Sequence, residues 1–342
     1  MTESAPISES VAPSRTSERR VGISGIVKRV LFVAVFGLVV WQIVKLGRRI
    51  DWNSTEFRPG WLLAAVVTYL IGWLPCVWYW RVLISQQGTV LPWMVAIRSH
   101  YCGQLGKYVP GKGAALLIRG EMIRPQGVPL LCGVLTAGFE SLSTMAVGGA
   151  VAATLAPFAI GQDEWTSLGL PWMSKPVVRW LFVIGMVALT GLAIPVLSHL
   201  LNVVLRRIVG KVVKAETTLQ EMRLPRWAFL ALVLTWWLHG LSLGCTIQGV
   251  GADVDLLTNW PRWTAAASLG TVVGFVVLFA PGGAGVREGV LLSLLQGTLG
   301  PKGALVVVLL RLLWLASELI VAGLFLLFLR PPEILPKSKM KV

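Results

Sequence analysis

The chain has 342 residues, of which 55% are hydrophobic and only 14% are charged, and its mean hydropathy is +0.72. Soluble domains carry about 25% charged residues, so the composition excludes the pair of water-soluble domains that the length alone would allow. The net charge of +15 would suggest nucleic acid in a soluble chain; here the cations collect in tails and loops, as the positive-inside rule describes.

Residues 1–24 form a tail rich in Ser, Pro and charge, which reads as disordered. No small-residue cleavage site follows the first apolar run, so that run reads as a retained span rather than a signal peptide. A spanning helix needs roughly 20 mostly apolar residues. Val30–Val44 is the core of the first candidate, completed over 24–46. Trp61–Ile84, Val128–Ala156, Val177–Ser198 and Trp227–Val250 follow. Trp263–Ala280 is long enough to span or dip deeply, Val286–Leu299 is short for a span, and Ala304–Leu329 is a long terminal one. The runs are continuously apolar rather than alternating, which favours helices over barrel strands. The expected fold is an all-α, polytopic membrane protein with about six to eight transmembrane helices. A membrane domain would occupy 25–330, with a basic cytoplasmic tail over 331–342.

Two breaks interrupt this pattern, half a chain length apart. The first reads Tyr108-Val109-Pro110-Gly111-Lys112-Gly113, with Arg119 and Glu121 after it. The second reads Pro281-Gly282-Gly283-Ala284-Gly285-Val286-Arg287-Glu288. Leu91–Gly106 and Ala114–Ile123 around the first break are too short to cross, and suggest a re-entrant hairpin. Trp263–Ala280 and Val286–Gly297 suggest a second, entering from the other side, unless both cross fully. Broken helices in corresponding places of two halves are the mark of inverted repeats around a midplane site. The N-terminal ends of such half-helices attract anions, and Lys112, Arg119 and Arg287 add formal charge there.

Charge inside a membrane demands a partner. Glu140 lies in the middle of a predicted span and points to a cation near Arg119 or Arg287. Arg311 and Glu318 share one face of the last span two turns apart, too far for a close pair, so each is expected to meet another segment. Arg119 and Glu121 diverge on their helix, as do Arg287 and Glu288, which leaves a cross-repeat pair such as Arg119 with Glu288 open. Lys107 and Lys112 read as snorkelling anchors. Trp61, Trp73, Trp78, Trp80, Trp93, Trp172, Trp236, Trp237 and Trp260 lie near segment ends or within spans, where an interfacial belt explains many of them. Cys76, Cys102, Cys132 and Cys245 match no metal or redox spacing, and His100, His199 and His239 are scattered packing residues, His100 lying close to the first break. No catalytic, cofactor or metal motif stands out.

The two breaks resemble those of the lysylphosphatidylglycerol synthase transmembrane-region family, flippase-like integral membrane proteins. Pro281–Glu288 carries the more specific part, a Pro-Gly-Gly-x-Gly-x-Arg-Glu motif, and Glu140 matches an acid usual in the span after the first break. Where that acid is usually followed by Arg, this chain has Ser141; where a Gly-Glu step usually follows the first break, Gly113 precedes Ala114. The resemblance spans roughly 25–330 and implies handling of anionic, aminoacylated or lipid-linked substrates, without the soluble synthase domain.

The expected function is therefore a lipid translocase or lipid-binding transporter, not an enzyme. Its partner would be a membrane lipid or lipid-linked substrate, not nucleic acid, and both termini would be cytoplasmic. Lys112, Arg119, Glu121, Glu140, Arg287, Glu288, Arg311 and Glu318 are the candidate substrate-binding residues. The alternatives are a non-catalytic scaffold for a cell-envelope enzyme and a membrane-embedded lipid transferase using Glu140 or His100.

Overall fold

Proline, glycine and a few caps decide where the helices of this chain begin and end. The computed structural model describes residues 56–108, 113–159, 165–166, 169–212, 221–277 and 285–327. The expected span at 24–46, both tails, Lys112, and the break residues Pro110, Gly111, Pro281, Gly282 and Gly283 lie outside the described residues.

Helix α1 (Pro59–Gly72) opens on a proline, whose missing N–H costs nothing at the first helical position. Trp73 separates it from α2 (Leu74–Gln86), where Pro75 removes an N–H and crowds the carbonyl four residues back. The two together are long and apolar enough to span. Helix α3 (Trp93–Gln104) tightens into a 3-10 turn at Leu105–Tyr108, and α4 is Gly113–Ile123. Then come α5 (Leu130–Ala159), α6 (Pro176–Val212), α7 (Arg226–Gly249), α8 (Leu256–Val276), α9 (Val286–Leu299) and α10 (Lys302–Leu327). Helices α5, α7 and α10 also have the length and hydropathy of spans. Helix α6 runs past the expected end at Ser198, with its apolar part at Pro176–Leu192. No strand occurs among the described residues. The protein is an all-α, polytopic membrane protein.

Contacts at the helix ends order the bundle. At one end, the Arg58 N–H donates to the Gly249 carbonyl at 2.9 Å and Lys302 Nζ donates to the Gly251 carbonyl at 2.9 Å. The starts of α1, α8 and α10 therefore lie with the end of α7. At the opposite end, Arg98 Nε donates to the Phe325 carbonyl at 3.1 Å, and Tyr79 Oη donates to the Arg223 carbonyl at 3.1 Å. Helices α3 and α4 run antiparallel, Gly103 lying against Arg119 and Gly106 against Ala115. Short connections join them to the end of α2 and the start of α5, at this second end. Helix α8 begins and α9 finishes at the first end, and Gly270 lies against Leu291 between them. The two hairpins enter from opposite ends of the bundle.

The hairpins are unequal. At 1.5 Å per residue, the 12 and 11 residues of α3 and α4 reach only about 18 and 17 Å, well short of the ~30 Å hydrocarbon core. Helix α9, with 14 residues, reaches about 21 Å. Helix α8 has 21 residues and reaches about 31 Å, enough to cross. It starts seven residues earlier than the expected Trp263 because the Asp255 carboxylate accepts the Thr258 N–H at 2.7 Å, a cap that holds about two extra turns. That carboxyl, exposed outside the spans, is held below its ordinary value by hydrogen bonding to the Thr258 side chain and then to the Thr258 N–H.

Glycine lets the long helices touch. A Cβ on Gly240 of α7 would stand 2.5 Å from the Thr264 Cα of α8, and one on Gly148 of α5 would stand 2.4 Å from the Trp236 ring of α7. Small residues at crossings are the usual means of close packing in lipid. Gly240→Ala should therefore lower stability by about 1–3 kcal/mol through overpacking against backbone. Gly149→Ala, where the new methyl meets nothing within 4 Å, should be neutral. Thermal unfolding of the two variants in detergent checks this; equal melting temperatures would refute the α7–α8 contact.

Candidate functional site

Buried charges in the bundle find their partners across helices. Gly120 of α4 and Gly133 of α5 face each other so closely that a Cβ on Gly133 would stand 2.9 Å from the Gly120 Cα. This brings Arg119 to Glu140, with Nη1 donating to Oε2 at 2.7 Å and both side chains buried. Thr144 Oγ1 donates to the other carboxylate oxygen at 3.0 Å, Ser141 Oγ donates to Oε2 at 3.4 Å, and the Arg119 guanidinium lies 4.2 Å over the Trp80 ring. Of the two regions the sequence offered for Glu140's partner, the first supplies it.

Glu318 of α10 is a hub. One oxygen accepts from Tyr69 Oη of α1 and Lys107 Nζ; the other accepts from Tyr108 Oη at 2.9 Å. Lys107 and Tyr108 lie in the 3-10 turn after α3, so Lys107 turns inward to a carboxylate. The snorkelling role expected of it is corrected: a buried acid is a better partner than the distant interface. Two turns before Glu318, Arg311 Nε meets Glu288 Oε1 of α9 at 3.0 Å. Glu288 Oε2 accepts the Gly285 N–H at 2.6 Å, closing the first turn of α9. Gly285 itself has φ +86°, a conformation that favours glycine. The cross-repeat pair of Arg119 with Glu288 does not form, because each is engaged elsewhere.

Arg287 differs. It is 6% exposed and lies 4.4 Å over the Trp314 ring. Among the described residues no carboxylate comes within ion-pair distance of it, and its Nη2 has no partner. Glu121 is not brought to this group: two residues along α4 from Arg119, it points to the other face and meets exposed Arg124 at 3.2 Å. Lys112 lies outside the described residues.

These elements enclose a cavity of about 500 Å³. Lys107, Gly113, Arg119 and Glu140 line it from the first half, and Arg287 and Trp314 from the second. An aromatic wall completes it. Tyr69 stacks on Trp314 at 4.4 Å, and His239 lies 5.2 Å from Tyr69 and 4.9 Å from Trp73. His100 lies 5.7 Å from Trp73 as well. Both His100 Nδ1 and Nε2, and His239 Nε2, lack a partner. Sequence reasoning missed Tyr69, Trp73, His239 and Trp314, which carry no local motif; only His100 had a hint, its nearness to the break. The aromatic belt is likewise corrected for Trp80 and Trp236, which are interior and donate to the Thr136 Oγ1 at 3.2 Å and the Thr144 carbonyl at 3.0 Å.

The hairpins, their charged starts and the acid on the following span agree with one known pattern. The sequence matches the model of the lysylphosphatidylglycerol synthase transmembrane region over residues 23–331. The chain belongs to this family. No curated protein matches it. In the family's terms, the Arg usual after the span acid is Ser141 here, and Arg119 from the preceding helix supplies the charge instead. The family membership places the protein among membrane proteins of lipid metabolism or translocation. Gly240-Leu241-Ser242-Leu243-Gly244 has the spelling of a nucleophile elbow. It lies within continuous α7 rather than on a strand-to-helix turn. Ser242 Oγ donates to the Ala65 carbonyl at 2.7 Å and accepts from Trp314 Nε1 at 2.9 Å, a packing role.

The Arg119–Glu140 pair gives a stability prediction. Glu140→Ala strands a buried guanidinium and should cost about 3–5 kcal/mol, whereas the double variant Arg119→Met/Glu140→Leu should recover most of that loss. A double-mutant cycle by thermal unfolding in detergent measures the coupling; additive losses would mean the two side chains do not act as a pair.

Proposed function

We propose that this protein is a lipid translocase or lipid-binding transporter whose substrate carries an anionic headgroup. The observation that supports this most directly is Arg287, a buried cation at the cavity with no carboxylate partner among the described residues. Among the described residues around the cavity, four cations, Lys107, Arg119, Arg287 and Arg311, stand against three carboxylates, Glu140, Glu288 and Glu318. An uncompensated charge in a low-dielectric interior is costly, and a phosphate supplies the missing negative charge. The first N–H groups of α9 lie beside Arg287 and add the partial positive charge of a helix start. The cavity volume of about 500 Å³ falls in the range of small-molecule sites. Hairpins that enter from opposite ends suit alternating exposure of a central site to the two leaflets. Movement would be passive or coupled to an ion gradient, without a covalent step.

The orientation belongs to the same proposal. Cations cluster toward the end where α2 and α10 finish, at Arg81, Arg124, Arg223 and Arg226, so that end and both termini would be cytoplasmic. The four native cysteines are buried and should stay silent to a membrane-impermeant thiol reagent. In Ser17→Cys, labelling should require permeabilised cells; labelling of intact cells reverses the topology.

For the site, a lipid with one negative charge and no other polar headgroup group, phosphatidylethanol, is the direct probe. Arg287→Gln should weaken its binding roughly ten- to a hundredfold, the scale of a charged hydrogen bond. Arg287→Lys should recover part of it, because an ammonium lacks the bidentate guanidinium geometry. Removing an unpaired buried charge should leave the melting temperature unchanged or raise it. Unchanged affinity together with a lower melting temperature would make Arg287 a structural residue and sink the reading.

A further inference from the structure

We infer that transport is coupled to protons and that Glu318, with Lys107 against it, is the proton site: an anion entering the cavity brings one proton onto Glu318. This rests on the reading of the cavity as an anion site and names the ion that the movement follows.

The three buried ion pairs differ in what their cations can do. Glu140 is held by Arg119 and Glu288 by Arg311. Guanidiniums are permanently charged, and these two side chains are only 5% and 7% exposed. A proton on Glu140 or Glu288 would strand a fixed cation in the interior. Lys107, the partner of Glu318, is the exception. Its ammonium sits on a flexible stem, and its side chain is 25% exposed and lines the cavity. Once Glu318 is protonated, Lys107 can turn from the acid to an anion in the cavity. The rest of the hub also suits a protonated carboxyl. Tyr69 and Tyr108 donate hydroxyls to Glu318, and a hydroxyl can rotate to accept instead, which a guanidinium cannot. Tyr69 lines the cavity beside Lys107, and both bond the same carboxylate oxygen. The route from cavity water to the acid therefore runs past groups that exchange protons themselves.

In this step an O–H bond forms on Glu318 and its hydrogen bond from Lys107 breaks, while Lys107 keeps its own proton and charge. Among the described residues around the cavity, the excess of cations over acids rises from one to two. Anion and proton then strengthen each other's binding by the same factor. The step also unties the first hairpin from α10, as a transport cycle requires. Other charged or titratable groups face α10 from each neighbour. Arg287 and Glu288 come from α9, and His239 comes from α7, 5.6 Å from the Trp314 ring. Helix α3 brings Cys102 Sγ to 4.0 Å from the Ala322 carbonyl and Arg98 to the Phe325 carbonyl. Arg311 of α10 itself lies 6.0 Å from the Tyr108 ring. His100 lines the cavity with His239. Imidazole is the side chain that ordinarily titrates near neutral pH, so removal of the two histidines is the control.

The test titrates phosphatidylethanol, whose phosphodiester keeps one charge throughout, against the full-length protein in detergent from about pH 5 to about pH 8. The bound state holds the extra proton, so wild-type affinity should rise as pH falls, by up to about tenfold per pH unit. Glu318→Gln, neutral at every pH, should lose this dependence and bind at high pH at least as tightly as the wild type does at low pH. The double variant His100→Gln/His239→Gln should keep the wild-type slope. In proteoliposomes, an imposed pH difference should drive phosphatidylethanol into the leaflet facing the alkaline side, and Glu318→Gln should equilibrate it without accumulation. A wild-type affinity independent of pH overturns the proposal; if Arg287→Gln still weakens binding, the anionic-lipid reading stands without it. A slope that persists in Glu318→Gln, or vanishes in the histidine variant, places the proton elsewhere and overturns the assignment to the hub. Movement indifferent to the pH difference overturns the coupling. The wild-type, histidine and proteoliposome arms decide the matter even where Glu318→Gln does not fold. Absence of lipid binding at every pH refutes both readings together.

Discussion

A charge among apolar helices is costly unless another charge is held against it, and helix α10 meets that condition twice. Arg311 holds Glu288 at the start of α9, and Glu318, two turns on, holds Lys107 and Tyr108 after α3. The two hairpins come from opposite ends of the bundle, so neither can reach the other through its own backbone. One rigid helix joins them through two ion pairs. Tyr69 ties α1 to the same hub, and Trp314, one turn from both, stacks on Tyr69 and lies under Arg287. The cavity exists because α10 fixes its two halves at one depth.

Against this background of matched charge, the unmatched residues gain meaning. A helical scaffold whose work lies at its surface has no use for a buried guanidinium without a carboxylate, or for imidazoles without partners. Arg119 shows what a structural cation in this protein looks like: an acid at 2.7 Å and an indole face at 4.2 Å. Arg287 has the indole face and lacks the acid. This contrast within one bundle, between residues of the same type at similar depth, favours transport over the scaffold alternative.

Much of the fold was legible because the bilayer makes its demands locally. Continuous apolar runs found α5, α7 and α10 nearly residue for residue, and the pattern of Gly, Pro and charge located both hairpins. Helix α8 was cut short in the sequence reading because its first turns carry Asn259, Pro261 and Arg262, which lower the hydropathy while the Asp255 cap holds the helix. Glu140, Arg311 and Glu318 could be singled out because an intramembrane charge is conspicuous. Their partners could be narrowed only to regions, since pairing is decided by which helix faces which. Glu121 entered the candidate group by nearness in sequence to Arg119, and helical geometry turns it away. The aromatic wall was illegible for the opposite reason: Tyr69, Trp73 and Trp314 look like any other bulky residue in a span, and only tertiary structure gathers them around His100 and His239.

The distribution of satisfied and unsatisfied groups also says how such a site can be stable. Orphaned imidazole nitrogens and a lone guanidinium each cost free energy in a dry interior, and they persist only if the surrounding structure leaves them no alternative. Here the alternatives are closed one by one. Every nearby carboxylate already holds another cation, so a swing of Arg287 to one would crowd a second cation onto an acid that is already paired. His239 is wedged among Tyr69, Trp73, Trp236 and Trp314, with one side held to the Tyr69 backbone of α1, and a Cβ on Gly72 would stand 2.8 Å from its ring, so the imidazole has little room to turn its free Nε2 elsewhere. The ion pairs are thus as much a part of the site as the unpartnered residues, because they commit the nearby acids to other cations.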